Sequence, residues 1–329
     1  MAATVFRRSP QLSSVEILDL RHFSSADLRP LLTLEVESWG ELLSWDYRSS
    51  ADMILRYVDA KILPGYAAVE RGNIVGYAFF VYEGSKGVMG DLFVSPRRLD
   101  ARQVEAQMAE HVIETLQQSP GIHRVEAQLL THQAGHLAGG FTAAGFQRYR
   151  RLFLSLALTG RDAPQIPSFA LPADVQIRRW TEQDYQPAAS VITTAYRGHI
   201  DSEINDQYRT HAGSVRFLNN IVRFPGCGVF DTESSFSAIH RPTNSLIGLI
   251  LCSRVKDDVG HVTQVCLLPE YRRQKIGENL LACCANSLRN RRFNLLSLTV
   301  TEMNTRAVEL YKQLGFEEKT VFDAFVWEG

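Results

Sequence analysis

The chain has 329 residues, of which 45% are hydrophobic and 22% are charged, a balance typical of globular domains and not of disordered or collagen-like chains. It contains no apolar run of about 18 residues, so we expect no membrane-spanning helix. Because 35 Lys and Arg stand against 36 Asp and Glu, there is no basic excess to indicate a nucleic-acid partner. The first ten residues lack the apolar stretch of a secretory signal, so we expect a cytoplasmic protein.

The cysteines do not predict a disulfide framework or a zinc ribbon. Their number, five, is odd, and no C-x-x-C spacing occurs among them. We therefore expect reduced thiols and no metal site. The cysteines are Cys227, Cys252, Cys266, Cys283 and Cys284.

In the first half the hydrophobic pattern predicts alternating strands and helices. A strand over 15–20 is followed by a helix that Ser24 or Ser25 caps and that ends near Leu32. The later elements are a helix over 52–60, strands over 66–70, 74–82 and 90–94, a helix over 101–117, a strand over 124–130, a short helix ending at Gly145-Phe146, and a strand over 152–158.

The segment 159–173 contains three prolines and shows neither the helical nor the strand period of hydrophobic residues. We therefore predict a linker there. After it the same order of elements returns. The later elements are a strand over 175–180, helices up to Val222, strands over 236–240, 246–255 and 260–268, a helix over 276–289, a strand over 295–301, a helix ending at Gly315-Phe316, and a strand over 320–326. An internal duplication is the simplest interpretation, with domains over 1–158 and 174–329.

The most informative stretch begins at Val262 and reads VTQVCLLPEYRRQKIGENLL. A strand ends at Pro269, a tight loop follows, and a helix begins near Ile276. The unpaired N–H groups and positive dipole end of such a helix suit a pyrophosphate. Gly277 leaves room for close approach of a ligand, and three cations, Arg272, Arg273 and Lys275, add positive charge.

This stretch resembles motif A of the GNAT N-acetyltransferase superfamily, whose loop reads Q/R-x-x-G-x-G/A. The segment from Asn304 to Phe316, NTRAVELYKQLGF, resembles motif B, N-x-x-A-x-x-x-Y-x-x-x-G-F. The resemblance covers about 175–329. One departure is Lys275, which stands where the first loop glycine usually lies and which would be strained if that position needs a positive φ.

The resemblance implies an α/β fold of two tandem GNAT-like domains, each a mixed twisted β-sheet flanked by helices. It also implies acetyl-coenzyme A as the acyl donor. The backbone of Val265, Cys266 and Leu267 would pair with the pantetheine arm and the acetyl carbonyl. The residues implied to hold the pyrophosphate are Arg272, Arg273, Gln274, Lys275, Ile276, Gly277 and Glu278.

For motif B, the resemblance implies that Asn304 and Ala307 bind the cofactor and that Tyr311 protonates the leaving thiolate. A packing role for Tyr311 stays open, because Ala307, Leu310, Tyr311 and Leu314 form one helical stripe. An acceptor amine must also lose a proton before it attacks. Some family members place a glutamate base at the position of His261, so we consider His261 as the base.

The polar and aromatic stretch from Tyr196 to Tyr208 lies, by element order, where this fold builds an acceptor pocket. Its candidate substrate residues are Asp201, Glu203, Asn205, Asp206 and Tyr208. A helix cap with a solvated face is the alternative interpretation of the same pattern.

The first half matches the same motifs poorly. Its loop, Leu99 to Val104, has no glycine and contains Asp100, while Phe141 stands in the place of Tyr311 and Ala134 in the place of Asn304. We therefore expect a degenerate domain that supports the second one or shapes its acceptor cleft. The function that the sequence favours is acetyl transfer to the amine of a small molecule or peptide, in the second domain. An acyl-coenzyme A-binding sensor or scaffold without catalysis, and transfer of a longer acyl group, are the alternatives; the acceptor and the oligomeric state stay open.

Overall fold

The computed structural model describes residues 15–161, 163–223 and 228–329. Cys227 lies outside these ranges. In chain order the first half forms β1 (Glu16–Asp19), α1 (Ser25–Leu43), α2 (Arg48–Asp59), β2 (Gly65–Glu70), β3 (Asn73–Glu83), β4 (Lys86–Val94), α3 (Ala101–Gln118), β5 (Arg124–Gln128), α4 (Ala138–Ala143) and β6 (Gln147–Ala157).

The second half repeats this order with two additional short elements. In chain order it forms β7 (Val175–Arg179), α5 (Tyr185–Ala195), α6 (Ile200–Ile204), α7 (His211–Val222), β8 (Val229–Phe230), β9 (Phe236–His240), β10 (Ser245–Lys256), β11 (Val259–Leu267), α8 (Ile276–Asn290), β12 (Leu295–Thr301), α9 (Thr305–Gln313) and β13 (Glu317–Glu328). The α/β class expected from the sequence is confirmed.

All the described strands join one mixed sheet in the order β1-β2-β3-β4-β5-β13-β6-β12-β11-β10-β9-β7, with β8 beside β10. Two pairs are parallel, β4 with β5 and β11 with β12. Both parallel pairs are joined by a long helix, α3 or α8, as a crossover connection requires.

The last strand of each half lies in the other half of the sheet. β6, which ends the first half, pairs with β12 from Leu295↔Ala157 to Thr301↔Arg151. β13, which ends the chain, pairs with β5 from Ala324↔Gln128 to Glu328↔Arg124. β6 and β13 also pair with each other along most of their length. The two halves of the chain therefore do not correspond to two separate sets of hydrogen-bonded strands.

Each half covers both faces of its part of the sheet. In the first half α3 packs on one face through Met108, Val112 and Leu116, and α1 and α2 pack on the other. In the second half α8 packs on one face through Leu280, Cys284 and Leu288, and α5 and α7 pack on the other. The residues that α3 and α8 bury recur every three to four positions, as one face of a helix requires.

Several element bounds differ from the predicted ones. α1 continues to Leu43 instead of ending near Leu32, because its later turns carry Glu35, Trp39 and Leu43, which are buried in the folded protein. β4 begins at Lys86, four residues before the predicted start, because Lys86 pairs with Arg124 of β5. Tertiary burial and pairing extend both elements past the point where local propensity weakens.

The segment predicted as a linker packs on the second half. Ile166 is buried in the core under α8, and the backbone N–H of Phe169 donates to Asn279 Oδ1 at 3.0 Å. The guanidinium of Arg289 donates to the carbonyls of Leu158 and Pro164. These contacts fix the segment along α8.

Polar contacts join the two halves at several places. Lys86, which is 4% exposed, places Nζ 2.7 Å from Asp206 Oδ1 and 3.2 Å from Glu126 Oε2. At the opposite side, the backbone N–H of Asp46 donates to the Val255 carbonyl at 2.8 Å. The end of α1 thereby reaches the second half of the sheet. No helix in the described part of the chain is long and apolar enough to cross a bilayer.

A buried polar network fixes α1 on β3 and β4. Tyr77 donates to Glu35 Oε2 at 2.7 Å, and Tyr47 donates to Asp91 Oδ2 at 2.6 Å. Complete burial, and next the nearby Asp91 carboxylate, raise the pKa of Glu35 well above its ordinary value. Glu35 therefore keeps its proton to a higher pH in the folded protein than in the unfolded chain.

This burial predicts a pH dependence of stability. Above pH 4.5 the unfolded chain releases the Glu35 proton while the folded chain keeps it, so the free energy of unfolding should fall by up to about 1.4 kcal/mol per pH unit until the folded pKa is reached. Glu35→Gln should remove this fall. Urea unfolding between pH 5 and 8 measures it, with the exposed Glu37→Gln on the same helix as control. Parallel pH profiles of the wild type and Glu35→Gln would contradict the prediction.

Candidate active site

The site is built where β11 and β12 separate. The two strands pair only from Val259↔Leu295 to Val262↔Leu298. On its other side β11 pairs with β10, and there the register shifts so that Thr263 is an extra residue between Val262 and Gln264. Such a bulge bends a strand. The bend leaves the β12-facing edge of β11 without strand partners from Thr263 onward, which opens a wedge between the two strands.

A cavity of about 750 Å³ occupies this wedge and continues on both faces of the sheet. At one end it reaches the loop before α8, and at the other it reaches His261, which lies six residues before Leu267 on β11. Six residues of a strand span about 20 Å. The cavity is therefore long and narrow, with two chemically different ends.

The first end is the N-terminus of α8. The first turn of α8, from Ile276, carries backbone N–H groups that have no partner within the helix, and the helix dipole is positive there. A Cβ built on Gly277 would meet only Leu267 Cδ1, at 3.7 Å, so open space lies beside this backbone. Arg273 lines the same end. Unpaired N–H groups, open space and cationic side chains fit a pyrophosphate.

The loop has two residues in the left-handed region, Arg273 with φ 64° and Lys275 with φ 61°. The sequence raised this possibility for Lys275, because a glycine is usual there. Lys275 is the N-cap of α8, and its Nζ lies 3.0 Å from Glu278 Oε1 and over the ring of Phe169. Side chains other than glycine are strained in this conformation.

We expect Lys275→Gly to raise the free energy of unfolding by up to about 1 kcal/mol, because glycine adopts this φ without a Cβ clash. Lys275→Ala removes the same charge and keeps the strain, so it should not stabilise the protein. The midpoints of urea unfolding at equal slope measure both. A Lys275→Gly variant no more stable than Lys275→Ala would contradict the argument.

Tyr311 and Asn304 line the middle of the cavity from α9. Tyr311 is 8% exposed, its ring packs against Phe316, and its hydroxyl makes no hydrogen bond to any described residue. Burial, and next the charge of Asp201, raise the pKa of Tyr311 well above its ordinary value. The phenol is therefore protonated at all physiological pH values and can donate a hydrogen bond into the cavity.

Cys266 lies on the wedge edge of β11 and is buried. Burial raises the pKa of its thiol to about 12. Because the nucleophile of a cysteine is the thiolate, this pKa argues against Cys266 as a nucleophile. In the described part of the chain the cysteines are free thiols, and no cluster of His, Cys, Asp and Glu suited to a metal ion is found there.

Above the wedge, aromatic residues of the second half form one wall. Tyr196 stacks on Tyr208 with ring centroids 4.3 Å apart, and its hydroxyl donates to Gln264 Oε1 at 2.7 Å. The same Gln264 oxygen accepts from the backbone N–H of Val265 at 3.1 Å. Gln264 Nε2 is buried and has no partner among the described residues. The bulge thus holds an unused donor next to the backbone that the resemblance assigns to the acetyl carbonyl.

Asp201 lies at the start of α6 and lines the cavity. Its Oδ1 accepts a short hydrogen bond from Thr301 of β12, and its Oδ2 is 3.7 Å from His199 Nδ1. His199 Nε2 is in turn 3.3 Å from the side-chain amide nitrogen of Asn304. Burial lowers the pKa of His199, so its ring is neutral at pH 7. The charge of Asp201 contributes to the raised pKa of Tyr311, so its carboxyl group lies near that phenol.

His261 lies at the far end of the cavity in an apolar setting. Its ring contacts Trp45 and Phe153, with centroids 4.8 and 5.8 Å away, and its Nδ1 is 2.9 Å from Ser297 Oγ. Burial, and next the charge of Arg151, lower the pKa of His261 to about 3. A group with that pKa accepts a proton from an alkyl ammonium poorly. The structure therefore argues against His261 as the base.

Most of the site residues expected from the sequence line the same cavity. They are Asp201, Asn205, Tyr208, His261, Val265, Cys266, Leu267, Arg272, Arg273, Ile276, Gly277, Glu278, Asn304, Ala307 and Tyr311. Four do not line it. Gln274 and Lys275 point to the surface of the loop, and the carboxylate of Glu203 pairs with Arg209 at 3.0 Å outside the cavity. Asp206 does not line it either and pairs with Lys86.

Four cavity residues come from the first half and were not expected from the sequence. They are Trp45, Gln128, Leu130 and Arg151. Trp45 follows α1, and Arg151 lies on the exchanged strand β6, next to β12. No local motif distinguishes these residues, because only the pairing of β6 with β12 brings them to the site.

Within its described residues, 15–161, the first half has no equivalent of this chemistry. Its β4 carries the same bulge, at Gly90, and separates from β5 after Met89↔Ala127. There Phe141, which is fully buried, stacks on Phe325 of β13 with centroids 4.0 Å apart. Ahead of α3, Arg98 pairs with Glu70 and Asp100. The first half therefore repeats the backbone arrangement of the wedge, but its side chains fill that place as part of the hydrophobic core.

Comparison with known proteins gives a family for part of the chain. Residues 200–316 match the family model described as the acetyltransferase (GNAT) family. This range contains β11, the loop, α8, β12 and α9, which together surround the wedge. No curated protein sequence matches the chain.

Solved structures resemble the whole chain. A GCN5-related N-acetyltransferase from Sphaerobacter thermophilus has a TM-score of 0.66 at 16% identity, with 95% of each chain covered. A tandem GNAT protein from the clavulanic acid biosynthesis pathway has a TM-score of 0.61 at 15% identity, covering 96% of this chain and 98% of that one. A Drosophila protein has 0.59 at 18%, with 96% and 98% covered. At these identities the likeness shows a shared fold, including the tandem arrangement.

Proposed function

We propose that this protein transfers an acetyl group from acetyl-coenzyme A to a primary amine at the wedge between β11 and β12, because residues 200–316 match the family model described as the acetyltransferase (GNAT) family. The observation that carries the proposal is the cavity itself. It joins the N-terminus of α8 to Asn304 and Tyr311 and then to an acidic and aromatic pocket.

The residues present fit coenzyme A. The α8 N-terminus, the space beside Gly277 and the Arg273 side chain suit its pyrophosphate. The edge of β11 from Val265 to Leu267 has no strand partner there and offers backbone groups to an extended amide-containing arm, as an added strand would use them; the Val265 N–H is already bonded to Gln264 Oε1. When bound, acetyl-coenzyme A supplies an acetyl thioester.

The protein's own residues would then carry three tasks. The Asp201 carboxylate holds the incoming ammonium near the thioester and favours its approach. The Gln264 amide, whose Nε2 lacks a partner, donates to negative charge that develops on the acetyl oxygen. The Tyr311 hydroxyl donates its proton to the leaving sulfur. A carbon–nitrogen bond forms and the carbon–sulfur bond breaks. The ammonium loses two protons: one goes to solvent before the attack, and the other, lost as the amide forms, replaces through solvent the proton that Tyr311 gives to the sulfur.

We do not assign a protein base to this reaction. His261 is too weakly basic, and both ring nitrogens of His199 face donors, Nδ1 the Asp201 backbone N–H and Nε2 the Asn304 side-chain amide nitrogen. Asp201 is the group nearest to the amine in this proposal, and the small neutral fraction of an amine below its pKa of about 10.4 is the reactive form. The rate should therefore rise with pH up to that value.

Incubation of the full chain with acetyl-coenzyme A and a panel of amines, read by the release of free thiol, tests the proposal. We expect thiol release that depends on the amine and on its concentration. Binding of coenzyme A without release of thiol above the rate of hydrolysis for any amine would contradict catalysis. That outcome would favour the alternative of an acyl-coenzyme A-binding sensor or scaffold.

A further inference from the structure

An arginine without an acidic partner lies at the far end of the cavity. Arg151 of β6 lines the cavity, and no carboxylate within the described ranges lies within 4.0 Å of its guanidinium. Its Nη1 donates to the side-chain oxygen of Gln128 at 2.9 Å, and its Nη2 is 3.4 Å from Thr299 Oγ1. Its Nε is buried and has no partner. Arg151 thus meets only neutral oxygens.

The loss of water around this partly buried guanidinium is not compensated by a negative charge. Transfer of a cation from water to the protein interior is unfavourable unless the cation is paired. Two other arginines near the junction of the halves are paired: Arg124 contacts Glu126 and Glu328, and Arg148 contacts Asp323. The neighbouring His261 ring cannot be the charge partner of Arg151, because that ring is neutral. An anion in the cavity would supply the missing partner.

That anion is not the pyrophosphate of the cofactor. Arg151 is beside Thr299 and His261, whereas the α8 N-terminus lies beyond Leu267 at the opposite end of β11. Leu298 pairs with Val262, so Thr299 is level with the start of the unpaired part of β11, and the two positive ends are separated by about 13 Å of strand. An anion at Arg151 must therefore belong to the second substrate.

The position of Arg151 relative to Asp201 limits the size of that substrate. Thr299 and Thr301 lie on the same face of β12 because side chains alternate along a strand. Thr299 contacts Arg151 and Thr301 contacts Asp201, so the two contact points are about 7 Å apart along the strand. A small molecule with an amine and an anionic group a few bonds apart would reach both.

We propose that the acceptor is a small amine that carries an anionic group, a carboxylate or a phosphate, and that Arg151 binds that group while Asp201 holds the amine. This inference rests on the proposed function, because it names the acceptor of that reaction. It makes Arg151, contributed by the first half through the exchanged strand, a specificity-determining residue for chemistry in the second half.

Matched acceptor pairs test the inference by turnover. Glycine, β-alanine and 4-aminobutanoate are compared with their amides, and O-phosphoethanolamine with ethanolamine, using the full chain. We expect the best anionic acceptor to exceed its neutral partner by about 10–100-fold in kcat/KM, mainly through KM. Preference for the acids or for the phosphate decides which anion is used. Equal rates for anionic and neutral partners would overturn the inference.

Variants assign the preference to a residue. Arg151→Met removes the charge and keeps the length of the side chain, and it should abolish the preference by raising KM for the anionic acceptor alone. Arg151→Lys should retain part of it. Arg150→Met is the matched control, since the neighbouring Arg150 is 48% exposed and pairs with Glu302. A preference that persists in a folded Arg151→Met variant would overturn the inference.

A binding experiment separates this inference from the proposed function. Calorimetric titration of the coenzyme A-loaded protein with N-acetyl-β-alanine, its amide and inorganic phosphate needs no turnover. Tighter binding of an anionic probe than of the amide, lost in Arg151→Met and kept in Arg150→Met, supports the anion site even if no amine is acetylated. Turnover of amines together with no Arg151-dependent binding of any probe would overturn the inference and leave the proposed function intact.

Discussion

Replacement of Tyr311 by Phe is expected to lower kcat by about 10²–10⁴-fold, the usual contribution of a positioned acid, while the affinity for coenzyme A changes little. The reason is that Phe keeps the ring against Phe316 and removes only the hydroxyl, which points at no described residue. Steady-state kinetics with a saturating amine, together with calorimetric titration of coenzyme A, measure both quantities. The melting temperature should stay within a few degrees, because ring packing is conserved.

The alternative, that Tyr311 only packs, predicts a different outcome. A packing aromatic would tolerate Phe with no loss of turnover. Full kcat in Tyr311→Phe, with the chemical step shown to limit the rate, would therefore exclude the acid role and leave protonation of the thiolate to solvent. Phe141→Tyr is the inverse control in the first half. It should create no activity, because its site is filled by the stacked rings of Phe141 and Phe325.

Gly277→Glu is expected to abolish coenzyme A binding without unfolding the protein. The backbone at Gly277 lies in the first turn of α8 at a negative φ, and an added Cβ meets only Leu267 at 3.7 Å. The fold therefore accepts a side chain there. The glutamate would occupy the space beside the free N–H groups and repel a pyrophosphate. Titration calorimetry and a melting curve on the full chain measure the two effects.

Three control variants make the Gly277 experiment specific. Gly277→Ala should bind coenzyme A and should be more stable by about 0.5–1 kcal/mol, because alanine is the better helix former. Gly277→Gln has the length of glutamate without its charge and separates steric from electrostatic exclusion. Arg102→Glu places the same charge on the first turn of α3 and should leave binding unchanged. An unchanged Kd in folded Gly277→Glu would show that this loop does not hold the cofactor.

These tests use the full chain because neither half owns a complete part of the sheet. Removal of 1–158 would take β6 away from β12, and removal of the second half would take β13 away from β5. Each separated half would expose a long unpaired strand edge, which favours aggregation. Which half binds the cofactor is therefore decided by comparing matched substitutions in the full chain, Gly277→Glu and Arg102→Glu, and not by separating the two halves.

The sequence by itself determined the order of the elements, the repeat, and the region from β11 to α9. These are local features. Alternating apolar residues, the turn at Pro269, the start of α8 and the stripe on α9 depend on neighbours within a few positions, so hydrophobic period and turn chemistry suffice to predict them. For the same reason the sequence indicated that Lys275 would be strained if its φ were positive, and the structure places that φ at 61°.

Only the tertiary structure decided what surrounds the reactive centre. His261 looks like a strand residue open to a substrate, and it becomes a poor base because Trp45 and Phe153, from the other half, bury it. Arg151 reaches the cavity because β6 pairs with β12, more than 140 positions later in the chain. Pairings this distant leave no local pattern, since they depend on how two complete sets of elements pack and which strand edges they leave open.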